Sequence, residues 1–367
     1  MKWLEAINSA INDFVWGVPM IATIIIVGLF LTFVLKGVQF IHPIMNLKQT
    51  IGEQFSKIRK HKEKDKIKEK KQRLSSFQAA MTSVAAIIGS GNIAGVATAV
   101  VMGGPGALFW MIIAAVIGMA TKFAEIALGV KFRKQMKDGS FEGGPMYYLR
   151  DGIKIKWLKW IGYAYAILVI PTAFIISAVV DTNTISDAVK TQFNINPIIT
   201  GCILAIVVAL IIFGGTKRVG KICGWLTPIM GVVYLLAGLL IIFLNIKLVP
   251  TAFEQIFKGA FNPSSITGGA IGSFLISMRY GVARGIFSNE AGLGTSAMIH
   301  GGADVEHPIK QAFWGPVEVF LDTIFACTVT ALAIIISGLW STGEYEGASL
   351  TLKAFEALLP GGIGNII

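Results

Sequence analysis

Long apolar stretches, separated by short charged or glycine-rich segments, dominate the chain. Between Arg73 and Lys122 no residue is charged, which leaves room for two membrane crossings of about 20 residues each. The first crossing, 75–101, is interrupted near its middle by Gly89-Ser90-Gly91-Asn92. Because each Gly costs about 1 kcal/mol relative to Ala inside a helix, the pattern predicts a helix that breaks at this point.

A break at membrane depth favours a binding site, because backbone groups freed there must be buried in protein or line a site. Two other interpretations were considered. The segment 89–94 also fits the G-x-G-x-x-A dinucleotide fingerprint, but that motif needs a strand before it in a soluble unit, and the flanking sequence is apolar and helical in character. Gly91 and Gly95 are four apart and could instead allow two helices to pack closely. This second alternative stays open.

Seven further apolar runs bring the predicted number of crossings to eight. A short interfacial helix is predicted over 1–15, and an amphipathic segment outside the membrane over 344–359. The further crossings are 16–35, 107–130, 161–180 with helix continuing to about 190, 193–216, 222–246, 261–278 and 311–340.

The composition agrees with this pattern, since 54% of the residues are hydrophobic and 14% are charged, far from the averages of soluble domains. The net charge of +11 follows the positive-inside rule and does not indicate nucleic-acid binding. The basic loop 36–74 is predicted to be cytoplasmic, which places the N-terminus outside a cell (inner) membrane. Of the 32 Lys and Arg, the predicted outer side holds Lys2, Lys190, Lys247, Lys258 and Lys353.

The chain ends in 360–367, where the sequence predicts the start of a further apolar span. We therefore expect the sequence to be a C-terminally truncated form or a fragment. The three cysteines are scattered through apolar segments and are interpreted as small hydrophobic residues.

Asp181 is the first candidate for site chemistry, because ionisable residues at membrane depth are costly and usually functional. Beside the break at Gly89–Gly91 it could pair with the ammonium of a substrate or with a coupling cation. Backbone N–H groups after the break would favour a carboxylate, so the two features together suit a zwitterion. The alternative is that Asp181 lies beyond the outer interface and is solvated.

The segment 279–295 is the second dense region, with four glycines among charged residues. It is either a second broken span or a cytoplasmic loop. Two interrupted spans in corresponding positions of two halves are the best sequence indication of an inverted-repeat transporter site. The segment opens five spans after the first break, in the opposite direction, which matches a five-plus-five repeat.

The remaining charged residues gave weaker hypotheses. Lys122 and Glu125 are three apart, and a local ion pair is expected. Glu318 and Asp322 are one turn apart and could pair, pack against Arg284 or relay protons. A metal site at His300, Asp304, Glu306 and His307 is disfavoured by the spacing, and no catalytic constellation was found, so we expect no enzyme and no cofactor.

Four motifs resemble the alanine or glycine:cation symporter family, also described as sodium:alanine/glycine symporters. They are GSGNIAGVA at 89–97, GGPGALFWM at 103–111, GGPMYY at 143–148 and GVARGIFSNEAGLG at 281–294. The resemblance implies sodium- or proton-coupled symport of small neutral amino acids by an all-α polytopic membrane protein with the five-plus-five inverted-repeat fold. Span 16–35 would be peripheral, 75–260 the first repeat and 261–367 an incomplete second repeat.

The resemblance also implies roles for individual residues. Backbone at Gly89, Ser90 and Gly91 would hold the substrate carboxylate, and Ile286 and Phe287 would border the side-chain pocket. One sodium site would use Asn92 and the carbonyl of Ile87, and a second would lie near Ala85 and Ile88.

Where the family usually has a glutamine facing the substrate amine, this chain has Asp181. A carboxylate there could select a different amine substrate or carry a proton in place of sodium. An inactive or non-transporting membrane module is the alternative from another class.

Overall fold

The computed structural model describes residues 2–41, 50, 74–261 and 270–359. Within them, three helices are long and apolar enough to cross a membrane: Ala107–Lys131, Gly215–Leu244 and Pro308–Ser337. A fourth crossing is made if Ser76–Ile87 and Gly91–Gly103, which meet at an angle of 43°, form one broken span. The protein is therefore all-α and multi-pass, as predicted. The basic loop 36–74, apart from its ends and residue 50, and the segment 360–367 lie outside the described residues.

The first half of the chain begins with three helices and, after the basic loop, the broken span. The elements are α1 (Lys2–Val15), α2 (Val18–Val34), α3 (Val38–Ile41), α4 (Ser76–Ile87), a π-helical segment (Gly91–Gly95), α5 (Val96–Gly103), α6 (Ala107–Lys131), strands β1 (Lys134–Gln135) and β2 (Phe141–Glu142), and α7 (Pro145–Gly152). The two strands pair antiparallel, with Lys134 opposite Glu142.

The regular elements described in the second half are all helical. Its elements are a 3₁₀ turn (Lys156–Lys159), α8 (Trp160–Ala173), a π-helical segment (Phe174–Asp181), α9 (Thr182–Phe193), α10 (Pro197–Ile212), α11 (Gly215–Leu244), α12 (Val249–Phe261), α13 (Ala270–Asn289), α14 (Thr295–Gly301), α15 (Pro308–Ala312), α16 (Trp314–Val319), a π-helical segment (Phe320–Cys327), α17 (Thr328–Ser337), a 3₁₀ turn (Leu339–Ser341) and α18 (Gly347–Leu358).

Local sequence signals account for several helix ends. Ser75 and Gln78 form a capping box at the start of α4, which satisfies two backbone N–H groups reciprocally. Asn194 ends α9 in the left-handed conformation, and the side chain of Asn196 caps α10 just before Pro197. Pro is favoured at this first helical position because its missing N–H would be unpaired there anyway.

Two predicted spans differ in extent from the helices of the structure. Helix α11 begins at Gly215 rather than Ile222, so Lys217, Arg218 and Lys221 belong to its first turns. A helix can carry such residues at its end because their long stems extend towards the polar interface.

The predicted span 261–278 also differs from the structure. Phe261 ends α12, residues 262–269 lie outside the described part, and α13 continues unbroken from Ala270 to Asn289. Gly281 and Gly285 therefore lie inside a helix. A Cβ at Gly281 would lie 2.3 Å from the Ala107 carbonyl oxygen, and one at Gly285 would lie 3.3 Å from the Met111 Cα. These glycines allow close packing of α13 on α6, the role that small residues four apart have in membrane helices.

The main buried core lies where α5, α6, α17 and α18 meet. It includes Val96, Leu108, Met111, Leu332 and Leu350, each at most 4% exposed. By contrast, α2, α10 and α11 carry many exposed large apolar side chains. Such surfaces are typical of helices that face lipid.

Backbone contact between Gly106 and Gly259 fixes α12 against the start of α6. A Cβ at Gly106 would lie 2.2 Å from the carbonyl carbon of Gly259. We predict that Gly106→Ala destabilises the protein by about 1–3 kcal/mol, because the clash is with backbone that cannot rotate away. Thermal unfolding of the detergent-purified chain measures this.

Gly201→Ala is the matched control, since Gly201 lies inside α10 and a Cβ there meets nothing within 4 Å. It should leave the unfolding temperature unchanged or raise it, because Ala is favoured over Gly in a helix by up to about 1 kcal/mol. Equal unfolding temperatures for the two variants would contradict this account of the contact.

Candidate functional site

The first helix break lies where the sequence predicted it. Helix α4 ends at Ile87, Ile88 is extended, and the π-helical segment begins at Gly91. The Asn92 side chain accepts a hydrogen bond from the Gly89 N–H at 2.9 Å. On the other side of the break, the Thr351 hydroxyl donates to the Ile93 carbonyl at 3.0 Å. The freed backbone is therefore satisfied by side chains.

The second break separates α13 from α14 and lies at 290–294, later than the glycines Gly281 and Gly285. Glu290, Gly292 and Gly294 have φ values of 54°, 98° and 84°, a region that non-glycine residues rarely adopt. Tyr165 donates a hydrogen bond to the Leu293 carbonyl at 2.8 Å, and Thr295 donates one to the Glu290 carboxylate. Residues 279–289 of this segment are thus helical, and the helix is interrupted at 290–294 before α14 begins.

The two interrupted helices touch. A Cβ at Gly91 would lie 2.8 Å from the Ser288 Cα, so the close-packing interpretation of Gly91 is correct alongside the break. Asp181, at the end of the π-helical segment 174–181, accepts a hydrogen bond from Ser90 at 2.5 Å. Asp181 is therefore half-buried beside the first break.

A cavity of about 840 Å³ lies between the two breaks and α8. Its polar lining comes from Ser90, Asp181, Ser288, Glu290 and Thr295, together with Tyr165 and Thr172. Ala85 and Ile87, expected near sodium, and Gly91 and Phe287, expected near the substrate, also line it. No Lys, Arg or His is found among the lining residues of the described chain.

The other predicted site residues lie elsewhere. Ile286 does not line the cavity but packs with Ile21, Ala114 and Val282. Neighbouring residues of a helix point about 100° apart, so Ile286 faces the core when Phe287 faces the cavity. Ile88 packs towards α4 and α16 and is not among the residues that line the cavity.

Asn92 lies behind the cavity in a buried cluster around Asp322. Asp322 is fully buried and accepts hydrogen bonds from Asn92 at 2.7 Å, from Ser288 at 3.0 Å to each oxygen, and from Thr323 at 2.6 Å. The Cys327 thiol lies 3.3 Å from both Asn92 and Ser288. Several oxygen atoms thus converge beside the first break, which is the donor chemistry that hard cations prefer.

Lys122 and Glu318 are also fully buried, and they correct two predictions. The Lys122 ammonium donates to the Asn289 carbonyl at 2.6 Å and lies 3.6 Å from the Glu318 carboxylate. Lys122 thus forms its ion pair with Glu318, not with Glu125 as expected. Glu318 and Asp322 do not pair with Arg284 in the described structure, because Lys122, Ser83 and His300 surround Glu318.

The histidines that suggested a metal site have structural partners. The His300 ring lies 2.6 Å from Glu318 and 2.7 Å from Gln311, and it is fully buried. His307 caps α15 by accepting a hydrogen bond from the Ile309 N–H. In the parts of the chain that are described, no group of three His, Cys, Asp or Glu side chains could hold a metal ion.

Sequence reasoning missed Glu290, Tyr165 and Ser288 as members of this site. Only Glu290 carried a usable signal, a carboxylate within the glycine-rich segment 281–294. Tyr165 lies in an ordinary apolar run, and its proximity to Leu293 depends on packing between distant segments.

Two interrupted helices that meet at a cavity with several polar side chains, inside a multi-pass helical protein, are typical of a secondary transporter, since irregular backbone at membrane depth is tolerated where it lines a binding site. The chain belongs to the sodium:alanine symporter family, whose model matches residues 1–367.

Individual relatives agree with this assignment. The chain is 44% identical over 366 residues to the sodium/alanine symporter AgcS of Methanococcus maripaludis, covering 99% of this chain and 78% of that protein. It is 36% identical over 353 residues to the amino-acid carrier protein AlsT of Bacillus subtilis, covering 95% and 70%.

The buried Lys122–Glu318 pair generates a prediction on stability. Glu318→Gln should destabilise the protein by about 3–5 kcal/mol, because the Lys122 charge would stay buried without its partner. Thermal unfolding in detergent measures the loss.

Glu254→Gln is the matched control, because Glu254 forms an exposed ion pair with Lys258 one turn away on α12. Exposed pairs contribute about 1 kcal/mol or less. A loss of similar size in both variants would mean that the burial of the Lys122–Glu318 pair has no energetic consequence.

Proposed function

We propose that this protein is a sodium-coupled symporter of small neutral amino acids such as alanine or glycine. The observation that carries the proposal is the meeting of both helix breaks at one cavity, in a member of the sodium:alanine symporter family. Sodium-dependent uptake of labelled alanine into liposomes that contain the full chain tests it. Uptake indifferent to the sodium gradient would contradict the proposal.

The cavity offers complementary groups for a zwitterion. Of the backbone at Gly89–Gly91 that would hold the substrate carboxylate, Ser90 and Gly91 line the cavity, and the Gly89 N–H is bonded to Asn92. Asp181, whose position Ser90 fixes, would pair with the ammonium. Phe287 would border the substrate side chain. The cavity is larger than alanine needs, so water or other ligands would share it.

The coupling sodium would bind at the Asp322 cluster, with oxygen atoms from Asp322, Ser288 and Thr323 as ligands. Asn92, whose amide nitrogen donates to Asp322 and whose oxygen accepts from the Gly89 N–H, would hold the carboxylate in place. Sodium there would link both interrupted helices, because Asn92 follows the first break and Ser288 precedes the second. Binding of the ion would stabilise the arrangement of backbone that the substrate needs. By linkage, the substrate would raise the affinity for sodium by the same factor.

We further propose a cell (inner) membrane location with the N-terminus outside, lipid around the exposed apolar helices, and the five-plus-five inverted repeat. Rocking of one helix set against the other around the fixed site would expose the ligands alternately on the two sides. The asymmetry of Lys and Arg between the predicted loops supports the orientation.

Asp322→Asn tests the proposed sodium site. Removing the charge while keeping the shape should raise the sodium concentration for half-maximal alanine uptake about tenfold or more, since about 1.4 kcal/mol of lost affinity is a factor of ten. Sodium titration of alanine uptake in liposomes measures this.

Asp138→Asn, the same change in an exposed turn, should leave the sodium dependence as in the unchanged protein. An unaltered sodium titration for Asp322→Asn would place the ion elsewhere.

A second candidate substrate class follows from Asp181 and Glu290. Two carboxylates face the cavity without a basic side chain among its described lining, which favours a ligand that carries an extra positive charge. The second candidate substrate is an amino acid with a second amino group. The transport mechanism would be the same as in the first proposal, and only the substrate would differ.

Asp181→Asn separates the two candidates. If Asp181 binds the ammonium of a neutral amino acid, the variant should weaken alanine uptake by about tenfold or more, since paired charges in a partly buried site contribute at least about 1.4 kcal/mol. If the cavity instead selects amino acids with a second amino group, lysine or 2,3-diaminopropionate should compete strongly with alanine for uptake by the unchanged protein. This competition should be lost in Asp181→Asn. Unchanged alanine affinity in the variant, with no competition, would leave Asp181 as a solvated side chain.

A further inference from the structure

Glu125 on α6 is a buried carboxylate that the proposed substrate and sodium sites do not use. Glu125 as a whole is 7% exposed to solvent. One of its oxygens, Oε2, is buried without a hydrogen-bond partner among the described residues. A buried polar atom without a partner is costly, and an unpaired charged oxygen is more costly than a neutral one.

The carboxyl group lies directly against the second helix break. The backbone N–H groups of Gly292 and Gly294 interact with it, and Gly292 lines the cavity. The carboxyl group of Glu125 thus accepts from backbone N–H groups of the second break, and its other oxygen, Oε2, has no partner among the described residues. A protonated carboxyl fits this pattern, with its carbonyl oxygen as acceptor and its hydroxyl at the free position.

None of the described residues forms an ion pair with Glu125. Lys122 lies one turn earlier on α6 and attracts Glu125, but its ion pair and its hydrogen bond go to Glu318 and the Asn289 carbonyl. Glu290 adds a like charge from the break. The other titratable groups that interact with Glu125 are Tyr148 of α7 and Tyr165 of α8, both neutral when protonated.

We propose that Glu125 is a proton-binding site whose occupancy is linked to the state of the second helix break. The carboxylate takes one proton from water that reaches the cavity and returns it to water, with no other bond formed or broken. A ligand in the cavity that contacts Glu290 or Gly292 moves the backbone N–H groups of Gly292 and Gly294, from which Glu125 accepts. Ligand binding therefore changes the proton affinity of Glu125. By linkage, protons change the affinity for the ligand to the same extent.

The first test rests on the proposed function and uses alanine exchange in liposomes at equal sodium on both sides, from about pH 5.5 to about pH 8.5. The alanine concentration for half-maximal exchange should change by about fivefold or more across this range in the unchanged protein, and by less than about twofold in Glu125→Gln, which mimics the protonated form. Glu125→Asp should keep a pH dependence with a displaced midpoint.

Two variants are the comparison. Glu142→Gln, in strand β2 at the exposed surface, should keep the full pH profile. Glu290→Gln should shift the profile and not remove it. A normal profile in Glu125→Gln, or a profile removed only by Glu290→Gln, would overturn the proposal.

The second test does not depend on transport. Infrared difference spectra of the full chain, recorded across the same pH range, should contain a protonated-carboxyl stretching band that titrates and that Glu125→Asp displaces. Absence of such a displacement would overturn the proton site, even if Glu125→Gln failed to fold. Absence of any sodium-dependent alanine exchange, with the infrared displacement present, would instead overturn the proposed function and leave the proton site standing.

Discussion

The structure depends on satisfying backbone groups that two broken helices leave free. At membrane depth each unpaired group costs several kcal/mol, so a break is tolerated only where side chains replace the missing helical bonds. Asn92 does this at the first break by accepting from Gly89 N–H. At the second break, Lys122 and Tyr165 donate to the carbonyls of Asn289 and Leu293.

These substitutes are shared with the candidate site, which explains why the site lies at the breaks. The amide of Asn92 that satisfies Gly89 also donates to Asp322. Lys122, which satisfies Asn289, also pairs with Glu318. Asn92 and Lys122 therefore each connect a break to a buried charged side chain.

The first break could be predicted from the sequence because Gly89, Ser90 and Gly91 interrupt an otherwise apolar run. The second could be placed only approximately, since Gly281 and Gly285 carry the same signal but serve close packing of α13 on α6. Local periodicity does not distinguish a glycine that ends a helix from one that allows another helix to approach. The partner of Lys122 was missed for a related reason. Glu318 is far away in sequence, and spacing along one helix favoured Glu125.

Three π-helical segments lie around the cavity region: Gly91–Gly95, Phe174–Asp181 and Phe320–Cys327. A π-type turn accommodates one more residue than an α-turn, which rotates every later side chain by about 100° relative to an uninterrupted α-helix. A helix that contains such a segment therefore has two differently oriented faces. Before Phe174, α8 exposes Ile167 and Ile170 at its surface, whereas after Asp181, Ser186 of α9 is buried. One continuous helix can thus present an apolar face to lipid along part of its length and direct polar side chains inward along the rest.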